Sequence, residues 1–182
     1  EVEVRGEIAE HDVSVLKLAA LKGVFSRMVS EQVSYVNAPL MAEARGMDVT
    51  LTTDEHSSDY RNVLTIKGVL SDGQIVSASA TLTGSKQTQK LVGINGYELE
   101  VPLAAHHIVM MYEDRPGIVA VYGKAFGEAN INIAGMQIAR DTVAGQALSV
   151  LTVDSRVPDE LLAEVGAAIS ATTMAPIDVV DL

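Results

Sequence analysis

The chain has 182 residues, 48% hydrophobic, 20% charged and 4% aromatic, with no cysteine, no tryptophan and a net charge of −11. That is enough apolar material for one large or two small globular domains with aliphatic cores. The acidic balance argues against phosphate-backbone binding, so no nucleic acid is expected, and the lack of cysteine excludes disulfides, thiolate metal sites, iron–sulfur clusters and cysteine nucleophiles.

The same lack of cysteine fits a reducing compartment such as the cytoplasm. No apolar run nears the ~18 residues of a membrane span, and Glu1-Val2-Glu3-Val4-Arg5 is no signal peptide. A strand that starts at residue 1 without a methionine reads as a piece cut from a longer protein.

Val2 to Ile8 alternates charged and apolar residues, as a strand does. Asp12 is placed to cap a helix whose apolar positions Val15, Leu16, Leu18, Leu21, Val24, Phe25 and Met28 recur at three- and four-residue spacing. A second helical piece is expected to break near Asn37-Ala38-Pro39 and restart through Met41-Ala42-Glu43-Ala44. Strands follow at Val49–Thr53, Val63–Leu70, Ile75–Thr83 and Lys90–Ile94, with hairpin signals at Ser71-Asp72-Gly73 and Asn95-Gly96. This first domain, residues 1–104, is predicted to be α+β, two helices on a mostly antiparallel sheet.

Residues 105–182 read βαββαβ. The elements are a strand at His107–Glu113, a helix at Ile118–Ala129, strands at Ile131–Arg140 and Ala147–Asp154, a helix opened by Pro158-Asp159-Glu160, and a strand at Pro176–Leu182. That order predicts a ferredoxin-like sandwich with both helices on one face of a four-stranded sheet. Ile133, Leu148 and Val150 make the strands apolar on nearly both sides, so a partner is expected to cover the bare face. Edge pairing with a second copy would satisfy the open strand edge, which implies a homo-oligomer.

The most informative stretch is Tyr112 to Asn132. Asp114-Arg115-Pro116-Gly117 makes a turn and a helix starts at once, with Pro116 in its first turn and Gly117 allowing close approach of backbone to a ligand. Unpaired N–H groups at the helix N-terminus then suit a bound carboxylate, and Asp114 either caps the helix or holds a ligand's ammonium group. Nothing comparable points to catalysis.

The turn, its helix and Asn130-Ile131-Asn132-Ile133 resemble an ACT domain. Together with Tyr35-Val36-Asn37-Ala38-Pro39, the run Gln89 to Gly96 and the terminal Asp178-Val179-Val180-Asp181-Leu182, they resemble the C-terminal half of long-form D-3-phosphoglycerate dehydrogenases. There an intervening domain precedes the ACT domain. The resemblance implies a parent NAD-dependent oxidoreductase in the first step of serine synthesis, inhibited by L-serine bound between paired ACT domains, with a tetramer as the full assembly. No Gly-rich dinucleotide loop and no catalytic His–Glu pairing occur, so this chain is expected to be non-catalytic, with NAD belonging to the absent half.

By that family pattern the serine contacts are Tyr112, Asp114 and Asn132, set among Arg115, Pro116, Gly117, Ile118 and Asn130. A zwitterion needs an anion for its ammonium, N–H donors for its carboxylate and a small polar partner for its hydroxyl; Asp114, the amides near Gly117 and Ile118, and Asn132 supply these. The resemblance also implies a site for phosphate or phosphorylated substrate in the first domain. Arg61, Lys67, Lys86 and Lys90 make residues 61–90 the one locally basic stretch, and Lys90 matches a basic residue of that site. Pro102 and Thr152 stand where some relatives place arginines, so that match is incomplete.

The remaining signals read as structural. His106 and His107 point to opposite faces of a strand and make a poor metal pair. His56-Ser57-Ser58-Asp59 reads as a polar surface loop and not a hydrolytic triad. Gly123 and Gly127, four apart on a helix, would permit close helix packing. Beside serine sensing, two readings stay open: a scaffold that holds an oligomer together without sensing, and the regulatory region of an L-serine dehydratase.

Overall fold

The computed structural model describes residues 1–141, 143 and 145–179. Two compact units emerge: residues 1–89 with 93–95, and residues 90–92 with the chain from Gly96 onward.

In the first unit, β1 (Val2–Gly6) pairs in parallel with β2 (Leu51–Asp54) and antiparallel with β3 (Asn62–Val69), which pairs antiparallel with β4 (Ile75–Thr83). With β5 (Thr88–Ile94) the strand order is β2-β1-β3-β4-β5. The alternation read at Val2–Ile8 holds through Val2 and Val4, both buried. The strand stops at Gly6, and residues 7–10 turn in a 3-10 helix. The N-cap of α1 (Ser14–Ser26) is Val13 and not Asp12, which stands one residue earlier and accepts the Ser14 N–H on Oδ1 at 2.9 Å.

Two further helical expectations need correction. Of the stripe read on α1, Leu21 and Phe25 are buried, but Val15, Val24 and Met28 are exposed. Apolar residues surround this helix, so periodicity alone does not choose its inner face. No helix precedes Asn37 after α1; α2 is the single short helix Ala38–Ala44, with Pro39 in its first turn. Asn37 sets its entry by accepting the Ser34 N–H at 2.7 Å. Leu21, Phe25, Val33, Ala38 and Ala42 form the core between the helices.

The second unit contains β6 (Tyr97–Pro102), β7 (His106–Glu113), α3 (Ile118–Glu128), β8 (Ile133–Asp141), β9 (Gln146–Val153), α4 (Asp159–Ile169) and β10 (Thr173–Asp178). Its four-stranded sheet has the order β10-β7-β9-β8 with antiparallel neighbours, the ferredoxin-like arrangement expected. The expected run of the last strand through 180–182 lies outside the described residues.

Ile108, Met110 and Tyr112 alternate onto one face of β7, where Ile118, Tyr122 and Phe126 of α3 and Leu162, Val165 and Ile169 of α4 cover them. On the other face Leu148 and Val150 are already buried within the single chain, and β6 packs against β8. The expected need for a partner over those two residues therefore does not arise. β10 and β8 are the two edge strands of this sheet. A Cβ added at Gly123 or Gly127 would meet nothing within 4 Å, so neither glycine is required for close helix packing.

His107 is buried on β7. Its Nε2 accepts the Ala104 N–H at 2.9 Å, which leaves Nδ1 to donate toward Thr152 Oγ1 at 3.2 Å. Burial is the main reason its pKa is lowered, with His106 adding to the effect. The unfolded chain then takes up a proton near pH 6.5 that the folded chain refuses, so stability is full above that pH and declines as pH falls toward the folded pKa. Urea denaturation should show a loss of at most about 1.4 kcal/mol per pH unit below pH 6.5. His107→Gln should remove that slope; an unchanged slope in the variant would assign it elsewhere.

Candidate functional site

The turn after β7 differs in detail from its sequence reading. Gly117 has φ +93° and is the residue before α3, so Pro116 lies outside the helix's first turn. The left-handed conformation favours glycine there. Gly117 O accepts the N–H groups of Ala120 (3.0 Å) and Val121 (3.3 Å). Among the described residues, the N–H groups of Ile118 and Val119 are not taken up by any backbone carbonyl. No side chain caps α3.

Asp114 is thus not a helix cap. Its N–H donates to Gly145 O at 2.9 Å, pinning the turn beside the β8–β9 connection. Its carboxylate is engaged by Arg140, whose Nε and Nη2 both reach Oδ2 at 2.5 Å. Arg140 lies in register with Ala147, and Ala147 with Tyr112. The intervening strand thus offers only a methyl group, and the guanidinium crosses it. Sequence reasoning missed Arg140; the available signal was a basic residue near the end of the strand that neighbours the turn's hairpin.

Tyr112 does not open onto the turn. It is buried, and its hydroxyl meets Ser149 Oγ at 2.5 Å inside the core. On α3 the phenol of Tyr122 donates to Met136 Sδ at 3.0 Å, and burial pushes its pKa up to about 12. Ile118 is buried and offers the turn only its N–H, whereas Arg115, Pro116 and Gly117 are exposed. Asn130 has φ +58° and ends α3, its N–H donating to Gly127 O at 3.0 Å.

Asn132 is exposed at the opposite end of the sheet. Its N–H donates to Asp154 Oδ1, and its carbonyl accepts the Asp154 N–H, each at 3.1 Å. The length of β9, roughly 25 Å at about 3.3 Å per residue, separates that end from Asp114. Within one chain the two residues do not share a site.

Of the four basic residues of the expected anion site, three are paired with carboxylates. Arg61 pairs with Glu7 (2.7 Å), Lys67 with Glu3 (2.8 Å) and Glu1 (3.8 Å), and Lys90 with Glu100 (2.7 Å); Lys86 is exposed. Three of the four thus already have carboxylate partners. His106 Nδ1 meets Asp178 Oδ1 at 2.8 Å while His107 turns inward to Ala104, so the two histidines share no ligand. Among the described residues no group of three His, Asp or Glu side chains is placed to hold a metal, and no helix is long and apolar enough to cross a membrane.

The family description "D-3-phosphoglycerate dehydrogenase intervening domain" matches residues 1–95, and "ACT domain" matches residues 106–169. The chain is 36% identical to a D-3-phosphoglycerate dehydrogenase of Mycobacterium leprae over 95% of its own length and 33% of the relative's. It is 35% identical to one of Mycobacterium tuberculosis over 97% of its length and 34% of the relative's, and 33% identical to one of Synechocystis over 89% and 29%. The chain therefore spans about a third of the length of these relatives. By its intervening domain and the ACT domain that follows, it belongs to the D-3-phosphoglycerate dehydrogenase family, of which it represents the C-terminal regulatory region.

Proposed function

We propose that the chain binds L-serine at a site completed by a second copy of itself, and through that site slows the dehydrogenase to which such a region belongs. One observation carries this reading: Asp114 and Asn132 lie at opposite ends of one sheet, while β8, which Asn132 precedes and whose Arg140 reaches Asp114, is an edge strand of that sheet. A two-fold axis that sets two β8 edges antiparallel brings the start of one β8 beside the end of the other. Asn132 of one copy then lies near Asp114 and the start of α3 in its neighbour. Each pair of copies holds two such crevices, each with a carboxylate, free N–H groups and an amide.

That set suits a small zwitterion: Asp114 for the ammonium, the Ile118 and Val119 N–H groups for the carboxylate, Asn132 for the hydroxyl. Ligand binding favours whichever arrangement of copies closes the crevice, and a coupling of about 1–3 kcal/mol is ample for feedback control. Calorimetric titration with L-serine should give saturable heat, while D-serine and glycine should give none. Asp114→Ala and Asn132→Ala should each lose the L-serine heat with circular dichroism unchanged. A flat trace from an intact oligomer would leave only a scaffold, and undiminished affinity in both variants would place the site elsewhere.

A further inference from the structure

We propose that Arg140 is the charged partner of the ligand's carboxylate, and that its ion pair with Asp114 is what an incoming amino acid splits. The inference rests on the reading that this crevice takes an amino acid. In the chain alone, both contacts from Arg140 fall on Oδ2 of Asp114. Asp114 Oδ1 and Arg140 Nη1 have no partner among the described residues. The Arg140 side chain is 62% exposed and that of Asp114 21%.

An ion pair so open to water holds the fold only weakly. The turn does not depend on it either, because the Asp114 backbone is already tied to Gly145. A free α-amino acid carries an ammonium and a carboxylate a few bonds apart. Inserted between the two side chains, it gives Asp114 a cation and Arg140 an anion, so each charge is again paired in the complex. The guanidinium fork matches a carboxylate with two parallel hydrogen bonds, a geometry it does not achieve on the single oxygen of Asp114. The N–H groups of Ile118 and Val119 are neutral donors to the same carboxylate and cannot replace that charge.

This assigns a ligand class. The group that Arg140 recognises is the ligand's ionised carboxylate, so an amide or ester of the same amino acid binds more weakly. The test compares L-serine with L-serinamide, which keeps the ammonium and hydroxyl but loses the anion. Calorimetry on the wild-type chain should show L-serine binding about 10- to 100-fold tighter than L-serinamide. In Arg140→Ala the L-serine affinity should fall by about that factor, L-serinamide should hold its affinity or gain, and the preference should shrink to a few-fold. Arg140→Lys, which keeps the charge without the fork, should lie between.

A wild-type preference retained in Arg140→Ala would overturn the assignment and reduce Arg140 to a tether for Asp114. A wild-type chain that binds neither compound would overturn the amino-acid reading together with it. Circular dichroism should be unchanged in both variants, since the side chain stands mostly in solvent in the single chain.

Discussion

Gly6→Ala is expected to destabilise the first unit by about 3 kcal/mol or more. Gly6 ends β1 at φ +101° and ψ −169°, a region that is essentially glycine's alone and costs another residue about 1–3 kcal/mol. Space makes matters worse. A Cβ on Gly6 would stand 2.0 Å from the carbonyl oxygen of Arg61 and 2.9 Å from Asn62 Cα. Those atoms are backbone, so no side chain can swing away. They are held where they are by the β1–β3 register of Gly6 with Asn62 and by the Glu7 N–H, which donates to Arg61 O at 3.3 Å. Relief requires breaking the end of that ladder, next to Val4, one of the most deeply buried residues of the unit.

Gly23→Ala is the matched control, because a Cβ there meets nothing within 4 Å inside α1. It should gain up to about 1 kcal/mol from helix propensity. Urea denaturation of both variants gives the comparison. Equal midpoints for Gly6→Ala and the wild type would show that the strand end yields without cost.

The contrast also marks what sequence can convey. Gly6 and Gly23 look alike in the chain, and only the neighbouring strand separates an indispensable glycine from a neutral one. The four-stranded sheet and its two helices were legible almost throughout, because α3 and α4 each carry a clean amphipathic face and β7 and β9 are long apolar runs between clear turns, whereas β6 was not foreseen as a strand. The α1 stripe failed for the opposite reason: with apolar residues on all sides, the inner face is decided by α2 and not by period.

At the candidate site, strand alternation already held a clue that the family pattern obscured. Tyr112 shares parity with Ile108 and Met110 on β7, so it belongs with the core. Arg140 was hidden because its role depends on register across two strands, with a small residue between, which no local window contains. Arg61, Lys67 and Lys90, close in sequence, read as unpaired cations until their carboxylate partners, up to 66 residues away in the chain, are brought beside them.

Mixing two dead variants is expected to restore L-serine binding. Asp114→Ala chains and Asn132→Ala chains should each bind nothing alone, since every crevice lacks one of its two side chains. When the two are unfolded together and refolded at equal concentration, random association about a two-fold axis gives about half mixed pairs. In a mixed pair one crevice lacks both side chains. The other takes Asp114 from the Asn132→Ala chain and Asn132 from the Asp114→Ala chain, and is intact. About a quarter of all crevices should therefore bind with wild-type affinity, read by calorimetry as a stoichiometry near a quarter of the wild-type value. A site built within one chain predicts zero, whatever the mixing. The roughly 25 Å between the two ends of the sheet makes the first outcome the physical one, because a ligand of serine's size cannot touch both residues of the same chain.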